Sequence, residues 1–169
     1  MQTQKTLLVV YHSLTGGTRQ MAHALIKGAK DSDTEGKILT QLKLASETSA
    51  DDVLAADAYV FATPENLGAV SGLMKDFFDR CYYPALEKIT GRAYATMICA
   101  GSDGHNAARQ IDRITTGWRL RAVADPLIVC THAQTAEEIL HPKTISTEDL
   151  LRCETLGSLM ANGLALGVF

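Results

Sequence analysis

The chain has 169 residues, of which 46% are hydrophobic and 21% are charged, and its formal net charge is −3. This composition is typical of a globular protein and predicts one domain, residues 1–169, with a sizeable core. The mild acidity argues against nucleic acid as a partner, and no apolar run is long enough to cross a membrane.

The cysteines and histidines give no sign of a disulfide framework or a metal site. Four cysteines are far apart and form no C-x-x-C pair: Cys81, Cys99, Cys130 and Cys153. We interpret them as reduced thiols and expect a cytoplasmic protein. His132 and His141 are interpreted as surface residues, so no metal ligand is assigned.

The first elements are a strand, a loop rich in hydroxyls and glycines, and a helix. Thr6–Tyr11 is a short apolar run typical of a central parallel strand, and the loop ends at Thr18. Met21, Ala22 and Leu25 then follow at helical spacing. Backbone amides at a helix N-terminus attract anions, although hydroxyl residues also cap helices themselves. The loop matches neither a Walker A loop, a dinucleotide fingerprint, a cysteine phosphatase loop nor a nucleophile elbow.

The rest of the chain alternates strands with helices. Four further strands are predicted at Lys37–Leu44, Ala58–Thr63, Arg92–Ala100 and Pro126–Cys130. The predicted helices are a short one opened by a Ser49–Asp52 capping box, one from Gly72 ended by Pro84, one ending around Gly117-Trp118, and a final one after Ser146–Asp149. Thr131–Ile145 is predicted to be a polar connection. The alternation predicts a parallel sheet with helices on both faces.

Three of the loops are suited to holding a ligand together. Ser13–Thr18, Pro64–Ser71 and Gly101–His105 follow the first, third and fourth strands and are rich in glycine, hydroxyl or amide groups. In a doubly wound sheet, ligands bind outside the carboxyl ends of the strands. A phosphorylated planar ring would fit this arrangement, with its phosphate on the first loop and its ring between the other two.

Two motifs carry a resemblance to a known family. Ser13–Thr18 resembles the phosphate signature S/T-x-T-G-x-T of the flavodoxin-like family. Thr63–Gly68 with Ser71–Lys75 is similar to the second flavin loop of its NAD(P)H-dependent FMN and quinone reductase branch. The resemblance covers nearly the whole chain. It implies a single flavodoxin-like doubly wound five-stranded parallel sheet of order 2-1-3-4-5 that binds FMN noncovalently.

The resemblance also implies which residues contact FMN. The phosphate would lie on the first loop, and the second and third loops would border the isoalloxazine ring. The predicted cofactor-binding residues are Ser13, Leu14, Thr15, Gly16, Gly17, Thr18, Pro64, Glu65, Asn66, Leu67, Gly68, Ser71, Gly101, Ser102, Asp103 and Gly104. No side chain is assigned a catalytic role.

The implied function is an oxidoreductase that passes electrons from NAD(P)H through FMN to a quinone or similar small acceptor. Electron carriers of the family commonly stack aromatic side chains on the flavin, whereas Leu67 stands at the nearest position here. An open ring face favours an enzyme. The alternatives are a flavodoxin-type carrier without its own NAD(P)H activity and a signalling receiver. The receiver needs acidic residues where His12 and Ser13 stand. A homo-oligomer fits the family.

Several roles stay open at this stage. Glu65 and Asp103 would lower the redox potential if they lie near the ring, or are solvated loop residues. His105 is either a proton donor beside the flavin or a solvent-facing residue at a helix start. Arg19 either reaches the phosphate or lies on the exposed side of its helix. The 131–145 connection covers either the site or a neighbouring subunit.

Overall fold

The computed structural model describes residues 4–169. Its strands are β1 (Lys5–Tyr11), β2 (Ile38–Leu44), β3 (Ala58–Asn66), β4 (Ala69–Val70), β5 (Ala93–Ala100), β6 (Arg121–Ala122) and β7 (Leu127–Cys130). Its helices are α1 (Gly17–Ser32), α2 (Ala50–Ala55), α3 (Gly72–Ala85), α4 (His105–Gly117), α5 (Ala136–Leu140) and α6 (Thr147–Leu166).

The sheet has the predicted parallel order. β2, β1, β3 and β5 are neighbours in that sequence, and both β6 and β7 pair with the outer edge of β5. The fifth position is therefore shared by two short strands, the second of which matches the predicted Pro126–Cys130. Pro126 lies in the break between them and lacks the N–H that a ladder hydrogen bond requires. The predicted order 2-1-3-4-5, which numbers the five predicted strands along the chain, is confirmed. Predicted strand 4 is β5, and predicted strand 5 takes the position that β6 and β7 share, so the sheet has seven strands instead of five.

The additional strand β4 arises where a loop was predicted. β3 runs past the predicted end at Thr63 to Asn66, and Glu65 and Asn66 pair antiparallel with β4. The pairing of β1 with β3 ends at Ala62. Pro64 therefore lies where β3 has lost one neighbour, and a proline is tolerated at such an edge.

Two predictions differ in detail from the helices of the structure. The connection 131–145 contains the short helix α5, opened by a capping box in which the Thr135 hydroxyl accepts a hydrogen bond from the Glu138 amide. The T-x-x-E pattern for this box is present in the sequence. α3 continues through Pro84 to Ala85, since a proline in the last turn removes only one hydrogen bond. The Ser49–Asp52 capping box is confirmed.

Helices cover both faces of the sheet. Leu7 and Val9 of β1 face α1 and α6, whereas Leu8 and Val10 face α2, α3 and α4. The first layer packs backbone against backbone. A Cβ atom on Gly28 would lie 1.9 Å from the Glu154 carbonyl oxygen, and one on Gly157 would lie 2.0 Å from that of Leu25. Only glycine permits this approach of α1 to α6.

The structure also bears on membrane insertion and cysteine chemistry. Across residues 4–169, none of the helices has the length and apolar character needed to span a bilayer. All four cysteines belong to this range and are free. No group of three potential metal ligands comes together in the same part of the chain.

Candidate functional site

The first loop opens α1 without a side-chain cap at its Ncap residue. Gly16 is in the left-handed conformation, with φ 87°. A Cβ atom on Gly17 would lie 2.6 Å from the Cys99 sulfur, so this position requires glycine. The amide of Arg19 donates to the Ser13 hydroxyl at 3.2 Å, but the amides of Gly17 and Thr18 have no acceptor among residues 4–169. These amides are the unsatisfied donors expected in the first turn of a helix.

Thr18 adds a third unsatisfied group. Its hydroxyl is the one buried side-chain polar atom that lacks a hydrogen-bond partner in residues 4–169. The Thr18 hydroxyl slightly lowers the pKa of the neighbouring Cys99 thiol but makes no hydrogen bond of normal geometry to it. Burial raises the pKa of Cys99 to about 11, so the thiol is neutral at physiological pH. A buried unpartnered hydroxyl needs an explanation, and a phosphate oxygen would supply the missing partner.

The second loop is a tight hairpin between β3 and β4. Leu67 and Gly68 have φ angles of 51° and 68°, the signs required by a type I′ turn. A leucine in this conformation is strained, and its side chain is fully exposed. The Asn106 side chain donates to the Gly68 backbone carbonyl, and the Val70 amide donates to the side-chain oxygen Oε1 of Gln110 at 2.8 Å. The hairpin is thus attached to α4.

Glu65 makes the strongest attachment. Its two carboxylate oxygens accept hydrogen bonds from the amides of Gly104 at 2.9 Å and Ala107 at 3.0 Å, at the start of α4. The side chain is half-buried, so it is not a solvated loop residue. Glu65 therefore joins the second loop to the third through a charge-assisted contact.

A buried polar chain lies beneath the hairpin. Ser71 is fully buried, and its hydroxyl lies 2.8 Å from the Thr63 hydroxyl and 2.9 Å from His12 Nδ1. Thr63 in turn donates to the Pro64 carbonyl at 2.9 Å. Burial lowers the pKa of His12. Ser71 was predicted to contact the cofactor, but the structure places its hydroxyl in this internal chain.

The three loops enclose one cavity of about 390 Å³ at the carboxyl edge of the sheet. Twelve predicted site residues line it: Ser13, Leu14, Thr15, Gly17, Thr18, Pro64, Glu65, Asn66, Leu67, Gly68, Gly101 and Ser102. Four predicted residues do not line it: Gly16, Ser71, Asp103 and Gly104. Gly104 is buried as the left-handed residue that opens α4, and a Cβ atom there would lie 2.7 Å from Ile128 Cγ2.

Asp103 and His105 form an exposed pair outside the cavity. Their side chains lie 2.7 Å apart, and this hydrogen bond lowers the pKa of Asp103. Both side chains are mostly exposed to solvent. Neither residue borders the cavity, which removes the support for a role of Asp103 or His105 beside the ring.

Six lining residues were missed by sequence analysis. They are Cys99, Ala100, Thr131, Ala133, Ile139 and Lys143. Four of them belong to the 131–145 segment, which is attached to the first loop. The Lys143 amide donates to the Thr15 carbonyl at 2.8 Å, and the Gln20 side chain donates to the Lys143 carbonyl at 2.7 Å. The segment therefore covers one side of the cavity of its own chain.

The lysine at this wall is not free to act as a phosphate ligand in the observed geometry. Lys143 Nζ donates to the carbonyls of Ile139 at 2.9 Å and His141 at 2.6 Å, near the end of α5. The donors of the first loop are thus amides and hydroxyls. Its donor set fits a phosphate monoester.

Comparison with known proteins agrees with this geometry. The family model of NADPH-dependent FMN reductases matches residues 6–134, well over half of the chain. The match includes all three loops. It ends within the segment that covers the cavity.

Two curated relatives match over shorter stretches. A flavodoxin of Aquifex aeolicus is 35% identical over 98 residues, which are 58% of this chain and 51% of that protein. An NAD(P)H dehydrogenase (quinone) of Acidithiobacillus ferrooxidans is 31% identical over 91 residues, 44% of this chain and 46% of that protein. The chain thus matches about half the length of each relative.

Solved structures share the fold over nearly the whole chain. A flavodoxin from the domain Archaea superimposes with a TM-score of 0.74 at 18% identity, covering 94% of this chain and 98% of that one. A flavodoxin, WrbA-like protein from Agrobacterium tumefaciens has a TM-score of 0.72 at 20% identity, covering 97% and 99%. At such identities these likenesses show the fold alone. With the family match over residues 6–134, the chain belongs to the NADPH-dependent FMN reductase family and has the flavodoxin-like fold.

Proposed function

We propose that this protein is an oxidoreductase that passes electrons from NAD(P)H through FMN to a quinone or similar small acceptor. Family membership indicates FMN as the cofactor. The observation that carries the proposal is the buried, unpartnered Thr18 hydroxyl beside two free amides at one end of the cavity. A phosphate monoester would satisfy all three groups at once.

The residues of the first loop would hold the phosphate without a countercharge. The hydroxyls of Ser13, Thr15 and Thr18 and the amides of Gly17 and Thr18 are neutral donors lining one end of the cavity. Neutral donors arranged at a helix start stabilise an anion through many hydrogen bonds and the helix dipole. Gly17 keeps this end open, since a side chain there would collide with Cys99.

The other end of the cavity would hold the ring. Pro64–Gly68 and Gly101–Ser102 line it, and no aromatic residue lines it in the described part of the chain. When bound, FMN supplies the redox chemistry, accepting a hydride from a nicotinamide and delivering electrons to an acceptor. The protein orients the ring. Glu65 would help to fix the position of the ring, because it holds the hairpin on α4 by accepting hydrogen bonds from the amides of Gly104 at 2.9 Å and Ala107 at 3.0 Å.

The mouth of the cavity favours an apolar acceptor. Leu14, Leu67 and Ile139 line the cavity, and all three are exposed to solvent. Leu67 has a strained left-handed backbone and a fully exposed side chain, a combination that costs stability and points to a functional contact. Apolar side chains at the rim would exclude water from a flat acceptor such as a quinone.

A flavodoxin-type electron carrier is the second candidate. The Aquifex aeolicus relative with 35% identity is named a flavodoxin. The same exposed rim would also suit brief contact with a protein partner. Turnover separates the two functions, since a carrier without a reductase would oxidise NADPH with a quinone at a negligible rate.

The test begins with an absorption spectrum of the purified protein with added FMN. We expect a yellow protein whose flavin bands are bleached by NADPH under anaerobic conditions and restored by a quinone. A protein that does not bind FMN even at high ligand concentration would contradict the cofactor assignment. FMN binding without bleaching by NADPH would contradict the enzyme and leave the carrier.

A further inference from the structure

A second cavity of about 420 Å³ lies on the other side of the first loop. Ser13, Leu14 and Thr15 line both cavities, so this part of the loop forms a common wall. Gly16, which was predicted to contact FMN, lines the second cavity and not the first. The volume is within the range of small-molecule sites, about 300–1,000 Å³.

Arg19 is the one cationic side chain that lines the second cavity among the described residues, and it does not line the first. Its guanidinium Nη2 lies 3.7 Å from where a Cβ atom on Gly16 would be, so the side chain folds back over the loop. In residues 4–169 this guanidinium forms neither a salt bridge nor a hydrogen bond. A permanently charged, unengaged fork of donors matches a phosphate group.

The remaining walls combine apolar residues with the hydroxyl-bearing residues Ser13 and Thr15. Leu14, Leu44, Leu140 and Pro142 line the cavity, and Tyr11 adds an aromatic ring. Leu14 and Leu140 are exposed although both are apolar. No carboxylate lines this cavity within the described range, so nothing there opposes an anionic ligand. One cation among apolar and hydroxyl-bearing residues suits a ligand that combines a phosphate with a flat ring, as a nucleotide does.

We propose that this second cavity binds the phosphate-bearing adenosine end of NADPH, with Arg19 as the residue that recognises its 2′-phosphate. The proposal rests on the proposed function, in which NAD(P)H is the electron donor. The common wall formed by Ser13, Leu14 and Thr15 places this end of the dinucleotide beside the phosphate end of the first cavity. The nicotinamide would reach from there to the ring at the other end of that cavity. Arg19 would then distinguish NADPH from NADH.

The test uses adenosine 2′,5′-bisphosphate as a redox-inactive probe, titrated calorimetrically into the FMN-loaded protein. We expect measurable binding that weakens about tenfold or more in Arg19→Gln, because a charge-assisted contact to phosphate is lost. Arg113→Gln removes the same charge from an exposed position that lines neither cavity, and should bind the probe like the wild type. The FMN affinity of Arg19→Gln should equal that of the wild type.

A second variant tests the cavity independently of Arg19. Leu140→Asp places a negative charge at an exposed wall position and should also weaken probe binding, whereas Leu151→Asp, exposed on α6 and lining neither cavity, should not. Equal probe binding by wild type, Arg19→Gln and Leu140→Asp would overturn the proposal. So would a loss of FMN affinity in Arg19→Gln, which would assign the arginine to the flavin phosphate.

The outcomes also separate this proposal from the proposed function. Wild-type protein that binds FMN and is bleached by NADPH but does not bind the probe would contradict the second cavity alone. Wild-type protein that fails to bind FMN would contradict the proposed function itself.

Discussion

Two helices, α1 and α4, begin in the same way at the same edge of the sheet but differ in the group that their first turn binds. Each starts after a left-handed glycine, Gly16 with φ 87° and Gly104 with φ 89°, and neither glycine provides a side-chain cap. At α4 the amides of Gly104 and Ala107, which have no partner within the helix, donate to the Glu65 carboxylate. At α1 the amide of Arg19, which is equivalent to that of Ala107, donates to the neutral Ser13 hydroxyl, and no carboxylate is bound. The Thr18 hydroxyl and the amides of Gly17 and Thr18 have no partner within residues 4–169.

This contrast indicates which helix start is available to an anionic ligand. A helix start attracts negative charge, and that charge is supplied either by the chain itself or from outside. At α4 an internal carboxylate already occupies the position. At α1 the position is open and faces the cavity, so an external phosphate is the natural occupant.

The largest expected effect comes from giving α1 an internal anion too. Thr15→Glu should weaken FMN binding by at least about 100-fold, because a like charge within about 4 Å of the phosphate costs several kcal/mol. Flavin fluorescence quenching measures the affinity. Thr34→Glu, in an exposed turn far along the chain, is the matched control. An affinity for FMN that stays near the wild-type value in Thr15→Glu would refute the phosphate assignment.

Removing the internal anion of α4 should have the next largest effect. Glu65→Ala leaves two amides unpaired, and we expect the free energy of unfolding to fall by about 2 kcal/mol. Chemical denaturation measures it, with Glu47→Ala, an exposed acidic residue in a turn, as control. If both variants unfold at the same denaturant concentration, Glu65 does not stabilise the start of α4.

A smaller effect separates the buried threonines. Thr18→Val removes an unpartnered hydroxyl, so the stability of the FMN-free protein should be unchanged, while FMN binding weakens about tenfold through one lost bond to a charged group. Thr115→Val removes a buried hydroxyl that donates to the Ile111 carbonyl at 2.9 Å, and should lower stability by about 1 kcal/mol. Thr18→Val that loses stability without losing FMN affinity would mean that the hydroxyl has an internal partner.

The smallest effect concerns the contact between His12, which precedes the first loop, and the Ser71 hydroxyl at the end of the second loop. Burial lowers the pKa of His12 in the folded state, so the unfolded chain binds the proton more readily. The free energy of unfolding therefore begins to fall once the pH drops below the unfolded pKa of about 6.5. The loss is complete once the pH lies below the lower pKa that His12 has in the folded protein. Between pH 7 and pH 5 the wild type should therefore lose more stability than His12→Gln.

The comparison for this pH dependence is His23→Gln, an exposed histidine on α1. Equal slopes in all three proteins would show that His12 does not titrate differently on folding.

Much of the architecture follows from local pattern. The apolar run Thr6–Tyr11 and the Ser49–Asp52 capping box determine a strand and a helix start with little help from distant residues. The first loop was likewise placed at a helix start by its glycines and hydroxyls. The hairpin at Leu67 was missed because a leucine rarely adopts a positive φ, and only the bonds of this loop to α4 hold it there.

Local sequence patterns set the order of the elements, the parallel sheet and the neutral character of the first loop, because these depend on spacing and residue type within a few turns of chain. Which helix start binds an internal carboxylate depends on the folded chain, since Glu65 reaches α4 from a different element, the strand β3. The same holds for the wall from the 131–145 segment, which reaches the cavity through its bonds to Thr15 and Gln20. Such long-range pairings depend on where folding brings distant residues together, which local patterns do not encode.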